Sequence, residues 1–532
     1  MCIRDRFSIP PLDYVYLRQT PASRVLALEL LSGEEILAIS SQRLGVSRLP
    51  EPVANLILEK AEGHPFFGEE LAYALRDAGH IRVENGRAEL QTTPAELQRL
   101  TFPDTIQGVL TSRIDRVSTR EQLTLKVASV IGRLFAYQIL SEIYPVDSSN
   151  QELKSELGEL EKLDITLLER PDPELAYIFR HIMMQEVTYG LLTFAQRKRL
   201  HRATAEWYEA NQTADLGPVY SLLAYHWTVA EVAEKSIQYS LLAGKQALQN
   251  GAFHEAIKHF SDGLDQNEST PVITNGVELA EWYYLKGVAH RNVGQIDSSM
   301  ADLFTALELL GRPYPEGRMR FSASLLGQLG RQILHRITPS TFDGRARQED
   351  HALLIAAIYE VLQANFFFQN QAIGSVYSIL RHLNLAEEAP PSPQRARSYA
   401  AMVNAAGVAG LHKQADTYLA LAQEAVHVDE LIRDQDLVYQ YLAIYFAGAG
   451  RWEENEVYAL QAAELAEEIG NRRRWQENSS CLALALYSRG EIGRSSRLRQ
   501  QVYADAVKEN DGQIQIWGLL EFAEIALLQG EL

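Results

Sequence analysis

The sequence is short of cysteine, of net positive charge, of long apolar runs and of any glycine-rich phosphate loop. Each shortage excludes something. Its only cysteines are Cys2 and Cys481, which removes a disulfide framework and a cysteine-based metal site and points to a reducing, cytoplasmic setting. Against 50 Lys and Arg stand 69 Asp and Glu, for a net charge of −19. A broad phosphate-binding face needs clustered basic residues, so direct nucleic-acid binding is not expected. No run of roughly 18 or more apolar residues occurs. The best candidate, Leu353 to Phe368, is broken by Glu360, Gln363 and Asn365, so no membrane association is expected. The pattern G-x-x-x-x-G-K-[ST] is absent. Gly244-Lys245 is the only Gly-Lys pair, and it lacks both the upstream glycine and the following Ser or Thr.

What is present suggests several domains. A chain of 532 residues exceeds one ordinary core, and about two to four domains are expected. Arg24 to Leu31 suits a short buried strand. Ser32-Gly33-Glu34-Glu35 is a capping box opening a helix to about Leu44. Another helix is expected from Glu51 to Glu62, with Gly63 as its left-handed cap and Pro65 in the first turn of the next. Asn85-Gly86 centres a hairpin over Ile81 to Leu90. Asp104 then caps a helix carrying Ile106, Val109, Leu110, Ile114 and Val117 at helical spacing. Helices follow near Arg120 to Ile131, Ala136 to Tyr144 and Gln151 to Leu163. An alternating stretch from Ile165 to Phe179, broken at Pro171-Asp172-Pro173, reads as a two-stranded wing. The helices at Ile182 to Leu192 and Ala195 to Asn211 lead out of it.

Beyond Pro218 the chain reads as paired helices with internal repeats. Tyr239, Gly244, Gly251, Phe253, Ala256 and Phe260 stand at tetratricopeptide-like spacings, as do Tyr283, Gly287, Gly294, Ile296, Leu303 and Ala306. Gly410, Gly450, Gly490 and Gly530 recur every 40 residues, with Tyr418, Tyr458 and Leu498 each eight past a glycine. Between Pro313 and Pro393 the pattern is less regular, with a polar loop at Pro339 to Asp350. Met1-Cys2-Ile3-Arg4-Asp5-Arg6 resembles the translation of a transposon end used in sequencing libraries, and only two residues follow Gly530. A fragment open at both ends is the expectation.

Four segments in order are AEGHPFFGEEL from Ala61, FPDTIQGVLTSRIDRV from Phe102, ASVIGRLF from Ala128 and FRHIMMQEVTYGLL from Phe179. Together they resemble the module of bacterial class III adenylate or guanylate cyclases fused to an ATPase and tetratricopeptide repeats. They are similar also to ATPase-containing transcriptional regulators and some kinase fusions. The resemblance covers about Leu28 to Leu200. It implies a mostly α chain: an adaptor-like stretch at 1–6, the lid of an AAA/STAND-type ATPase over 7–103, a winged-helix regulatory domain over 104–213, and an α-solenoid of tetratricopeptide-like hairpins over 214–532. It implies an adenine-side contact for Pro65 with Gly63. His64 stands where asparagine is usual. Arg18 is either the sensor arginine or an ordinary surface residue. The phosphate-loop lysine and the magnesium-holding carboxylate have no counterpart here, so the fragment is not expected to be an enzyme or to hold a cofactor. ATP and Mg2+ are implied for a full-length parent.

Other groups read as structural. Arg180-His181 with Gln185-Glu186 has the look of an acid–base cluster, yet it opens a helix, and a structural His181 bonded between wing and helix is expected. Arg197-Lys198-Arg199 with His201-Arg202 lies beyond the wing and reads as a solvated face or a contact with an acidic repeat. Glu464, Glu467 and Glu468 are helix surface. Tyr439, Tyr441, Tyr445, Phe446 and Trp452 fit inter-repeat core, or else a peptide groove. Three functions remain open: the regulatory tail of a cyclase, the middle of a transcription factor, and a freestanding scaffold. Expected partners are a protein or small molecule on the solenoid, and missing ATPase or effector domains within the same parent.

Overall fold

The computed structural model of the chain describes residues 29–93, 96–97, 105–146, 148–212, 215–338, 351–428, 435–508 and 512–529. The described chain is mostly α and forms two compact units, residues 1–211 and 212–532. Most of the strand expected at Arg24 to Leu31, the sensor candidate Arg18, Asp104, the loop at Pro339 to Asp350 and Gly530 lie outside the described residues.

The first unit opens with three helices, α1 (Gly33–Leu44), α2 (Glu51–Ala61) and α3 (Pro65–Asp77). Ser32 and Glu35 close the expected capping box on α1. The hairpin pairs β1 (Ile81–Glu84) with β2 (Arg87–Leu90), Glu84 opposite Arg87. Asn85 at φ 51° and Gly86 at φ 73° supply the two left-handed residues its tight turn needs. Ile36, Val53, Ile57, Leu71, Leu75 and Ile81 make the core of this part.

Next come α4 (Ile106–Arg116), α5 (Thr119–Ile131), α6 (Tyr137–Glu142) and α7 (Asn150–Lys162). Thr105 caps α4, its hydroxyl accepting from the Gly108 N–H at 3.1 Å; this corrects the expected Asp104 cap. The two strands expected between Ile165 and Phe179 are β4 (Thr166–Arg170) and β5 (Ala176–Phe179), joined by a third strand, β3 (Leu134–Ala136), in the order β3-β5-β4. That three-residue strand was not expected; it hides inside an apolar run. Two helices, α8 (Ile182–Gly190) and α9 (Phe194–Asn211), complete the unit. Leu110, Ile114, Leu125, Phe135, Leu157 and Phe179 lie at the centre of its second core.

The second unit is an α-solenoid. After α10 (Tyr220–Val229), antiparallel pairs follow: α11 (Ala233–Gln249) with α12 (Phe253–Ser269), and α13 (Gly276–Asn292) with α14 (Ile296–Leu309). Gly244 shows why the repeat keeps glycine: a Cβ there would stand 2.6 Å from the Phe260 ring. Phe260 therefore lies flat across α11 and meets Trp282 of the next pair, ring centres 6.2 Å apart. Small residues let the two helices close, and large ones fill the seam between pairs.

One helix breaks the rhythm. In α15 (Arg318–Ile337) the C-terminal half is inverted. Toward the solenoid it presents Gln328, Gln332, His335 and Arg336, which bond Asn384, Tyr418, Glu387 and Glu388. Outward it presents Leu326, Ile333 and Ile337, each more than half exposed. The pairing then resumes with α16 (Ala352–Phe368) and α17 (Ala372–Glu388), α18 (Pro393–Val408) and α19 (His412–Val428), α20 (Gln435–Gly448) and α21 (Trp452–Ile469), α22 (Arg472–Ser488) and α23 (Ile492–Lys508), then α24 (Gly512–Gln529). Gly410, Gly450 and Gly490 take the left-handed turn position, at φ 70°, 69° and 81°. No described helix is long and apolar enough to cross a membrane.

Candidate functional site

The sequence places its site candidates at the α2–α3 turn. Two residues turn left-handed there, Glu62 at φ 45° and Gly63 at φ 82°. A Cβ on Gly63 would meet Leu30 Cβ and the Leu31 carbonyl at 2.9 Å each, and the Leu31 N–H donates to the Gly63 carbonyl at 2.9 Å. Glycine is required by backbone geometry and by this close approach. Pro65 opens α3 and is exposed. The structure thus gives Gly63 a packing role and leaves Pro65 facing solvent. Arg18 lies outside the described residues.

Beneath this turn the four sequence motifs meet. Glu70, from the first motif, receives Arg113 Nη1 of the second at 2.6 Å, and both side chains are buried. Every nitrogen of Arg113 is engaged: Nε donates to Asp77 at 3.0 Å and Nη2 to the Leu163 carbonyl at 2.6 Å. Burial pushes the Glu70 carboxyl up, and Arg113 pulls it back. Arg76 and Arg180 both pair with Asp164. His181, from the fourth motif, packs on Phe66 of the first, ring centres 4.3 Å apart. Its Nε2 has no hydrogen-bond partner and stands 3.9 Å from Glu69. Burial, with Arg180 and Arg43 nearby, pushes the imidazole down to about 4, so it is neutral at pH 7. The expected bonding role for His181 becomes a packing role at Nε2. Gln185 donates to the Ser129 carbonyl at 2.7 Å, which ties in the third motif.

The basic run on α9 is largely engaged within its own unit. Arg197 lies over Tyr189 and donates to the Gly190 carbonyl, Arg202 pairs with Glu206, and buried His201 meets the Tyr189 hydroxyl at 2.9 Å.

The second unit holds a constellation that sequence reading missed. The first helices of successive pairs turn polar side chains to one interior. Arg397 on α18 grips Glu360 on α16 through Nε at 2.7 Å and Nη2 at 3.1 Å. Gln363 donates to the Tyr441 hydroxyl at 2.8 Å, and Asn404 to the Tyr441 carbonyl at 2.7 Å. Arg474 pairs with buried Asp436, and Arg473 with Glu477, which also accepts from Gln440. Arg473 Nη1 then reaches the Asn292 carbonyl of α13 at 3.1 Å, 181 residues earlier. The row of helices therefore curves until α22 touches α13. Burial would raise Glu360 and Glu477, but Arg397 and Arg473 outweigh it and hold both carboxyls below the usual range. Burial pushes Tyr441 and Cys481 up to about 12, so that thiol is unreactive at neutral pH. Tyr441 belongs to this interior, while Tyr445 and Phe446 are buried core. Among the described residues no group of three His, Cys, Asp or Glu is placed to hold a metal ion. The Glu, Arg and Tyr of this cluster sit at ordinary helix positions; only pairing the repeats in space reveals them.

Residues 32–89 match a family described as Domain of unknown function (DUF8739). An uncharacterized protein of Rhizobium meliloti (strain 1021) is 23% identical over 203 residues, 38% of this chain and 19% of that protein. The chain therefore spans about a fifth of that relative's length. A solved structure of a Signal Transduction ATPase with Numerous Domains with a tetratricopeptide repeat sensor, from Pyrococcus horikoshii, aligns over 94% of this chain and 70% of its own, at 13% identity and a TM-score of 0.32.

Proposed function

We propose that this chain is the regulatory and sensing region of a multidomain bacterial signalling ATPase, the C-terminal part of an adenylate or guanylate cyclase-type protein. Residues 7–103 would be the ATPase lid, 104–213 a winged-helix spacer, and the solenoid over 214–532 the sensor. The observation that carries this reading is the meeting of the motifs at Glu70–Arg113. A buried ion pair joins lid to spacer, so a shift in one displaces the other. The curved interior of the repeats supplies the surface where a protein or small molecule would start that shift.

The residues present do not complete a nucleotide site. The sequence lacks the phosphate-loop lysine, and Leu30 and Leu31 fill the space beside Gly63. Phosphoryl transfer needs a charge-stabilising cradle, so this stretch is proposed to be catalytically silent, with ATP and Mg2+ belonging to the parent. Two measurements test the reading. A cyclase domain encoded upstream in the same reading frame supports it; a helix-turn-helix encoded downstream replaces it with a transcriptional regulator. Titration with a fluorescent ATP analogue should give weak or no binding, and tight magnesium-dependent binding would overturn the incomplete site.

A further inference from the structure

Among the described residues, three arginines beside Arg291 in the solenoid interior each have a carboxylate partner. Arg397 takes Glu360, Arg474 takes Asp436 and Arg473 takes Glu477. Arg291 of α13 is left over. Among the described residues no carboxylate stands within ion-pair distance of it, and its Nε is buried without a hydrogen-bond partner. Its neighbours are Glu477, Tyr441 and two like charges, Arg473 and Arg474. The Phe368 ring lies 5.9 Å beneath its plane and holds it in place.

That arrangement costs stability as it stands. A guanidinium withdrawn from water needs a counter-charge or a full set of acceptors. Burial and the two neighbouring arginines accordingly depress its proton affinity. The groups around it line the space rather than fill it: Glu360, Arg473 and Glu477 keep 13%, 11% and 11% of their side-chain surface.

We propose that the solenoid interior at Arg291 binds a small oxyanion, a carboxylate or phosphate group, as the ligand of the repeats. A planar fork over an aromatic ring suits either group, since both accept two parallel N–H bonds. Arg473 bridges to α13 within one residue of Arg291, so filling the site changes the balance of like charge that acts on that bridge. The inference rests on the sensor reading only in naming the ligand of that surface. Its failure would leave the cyclase-type assignment, which the flanking reading frame decides, untouched.

The test uses thermal unfolding of the full chain with about 10 mM inorganic phosphate, or succinate, against chloride at matched ionic strength. A ligand bound only by the folded state raises the midpoint, here by roughly 2 °C or more. The expected result is a rise with one anion in the wild type that is lost in Arg291→Met. A rise with phosphate alone assigns a phosphate, and with succinate alone a carboxylate. No rise from either, or an equal rise in the variant, overturns the proposal. If Arg291→Met does not fold, Arg291→Lys takes its place. A point charge without the planar fork should shrink the rise, and an undiminished rise overturns the proposal as well.

Discussion

Arg113 is buried and Arg291 half-buried with a buried Nε, and their surroundings are opposite. Arg113 meets Glu70, Asp77 and a backbone carbonyl, so each of its three nitrogens is engaged. Arg291 meets an aromatic ring, Glu477 and two other arginines, and its Nε bonds nothing. A guanidinium engaged at all three nitrogens is a fastener, because removing it strands buried Glu70. An unsaturated one among like charges is a vacancy for an anion. The same residue type thus marks a joint in the first unit and a receptor in the second, and the partner count separates the two.

The sharpest way to break this comparison is Arg113→Met. Leaving buried Glu70 without a counter-charge, with Asp77 keeping only Arg76, should destabilise the first unit by about 4 kcal/mol, seen as an early transition in urea while the solenoid still unfolds late. Next is Gly244→Ala. It forces a methyl against Phe260 and should cost the solenoid about 2 kcal/mol, measured by the shift of the second transition. Arg291→Met should have the opposite sign to Arg113→Met, stabilising the anion-free chain by ~1 kcal/mol because a poorly paired, half-buried charge is lost. A clear loss of stability there would put Arg291 in the same class as Arg113. The smallest effect concerns acid. Burial would raise Glu388, but hydrogen bonds from His335 and Arg331 hold it below the usual carboxylate range. A lowered carboxyl contributes stability above its unfolded pKa and loses it as pH falls through the folded one. Proteolysis within α15 should therefore stay constant near neutrality and rise only below the ordinary value of 4.5.

Much of the architecture was readable because it is written locally. The Ser32–Glu35 box, the Asn85-Gly86 turn and the glycines every 40 residues each state their geometry within a few positions. The misses were of another kind. β3 has three residues inside an apolar run and gains its identity only from β5 across the sheet. Thr105 rather than Asp104 caps α4, and two adjacent capping residues look alike to propensity. The Glu70–Arg113 pair joins positions 43 apart, and Arg473 reaches Asn292 across 181. No periodicity states which charges face one another. Gly63 illustrates the limit best: its pattern suited both a nucleotide contact and a turn, and the approach of Leu30 accounts for it without a ligand.

The inverted half of α15 has a calorimetric consequence. Most of the solenoid is held by apolar burial, whose release on unfolding raises the heat capacity and whose strength fades on cooling. The C-terminal half of α15 is held by Gln332, His335 and Arg336 on Glu387, Glu388 and Tyr418, with its apolar residues already in water. Lifting that half-helix away exposes polar groups, which lower the heat capacity. Cold, which loosens the rest of the superhelix, should leave this one attachment as firm as before.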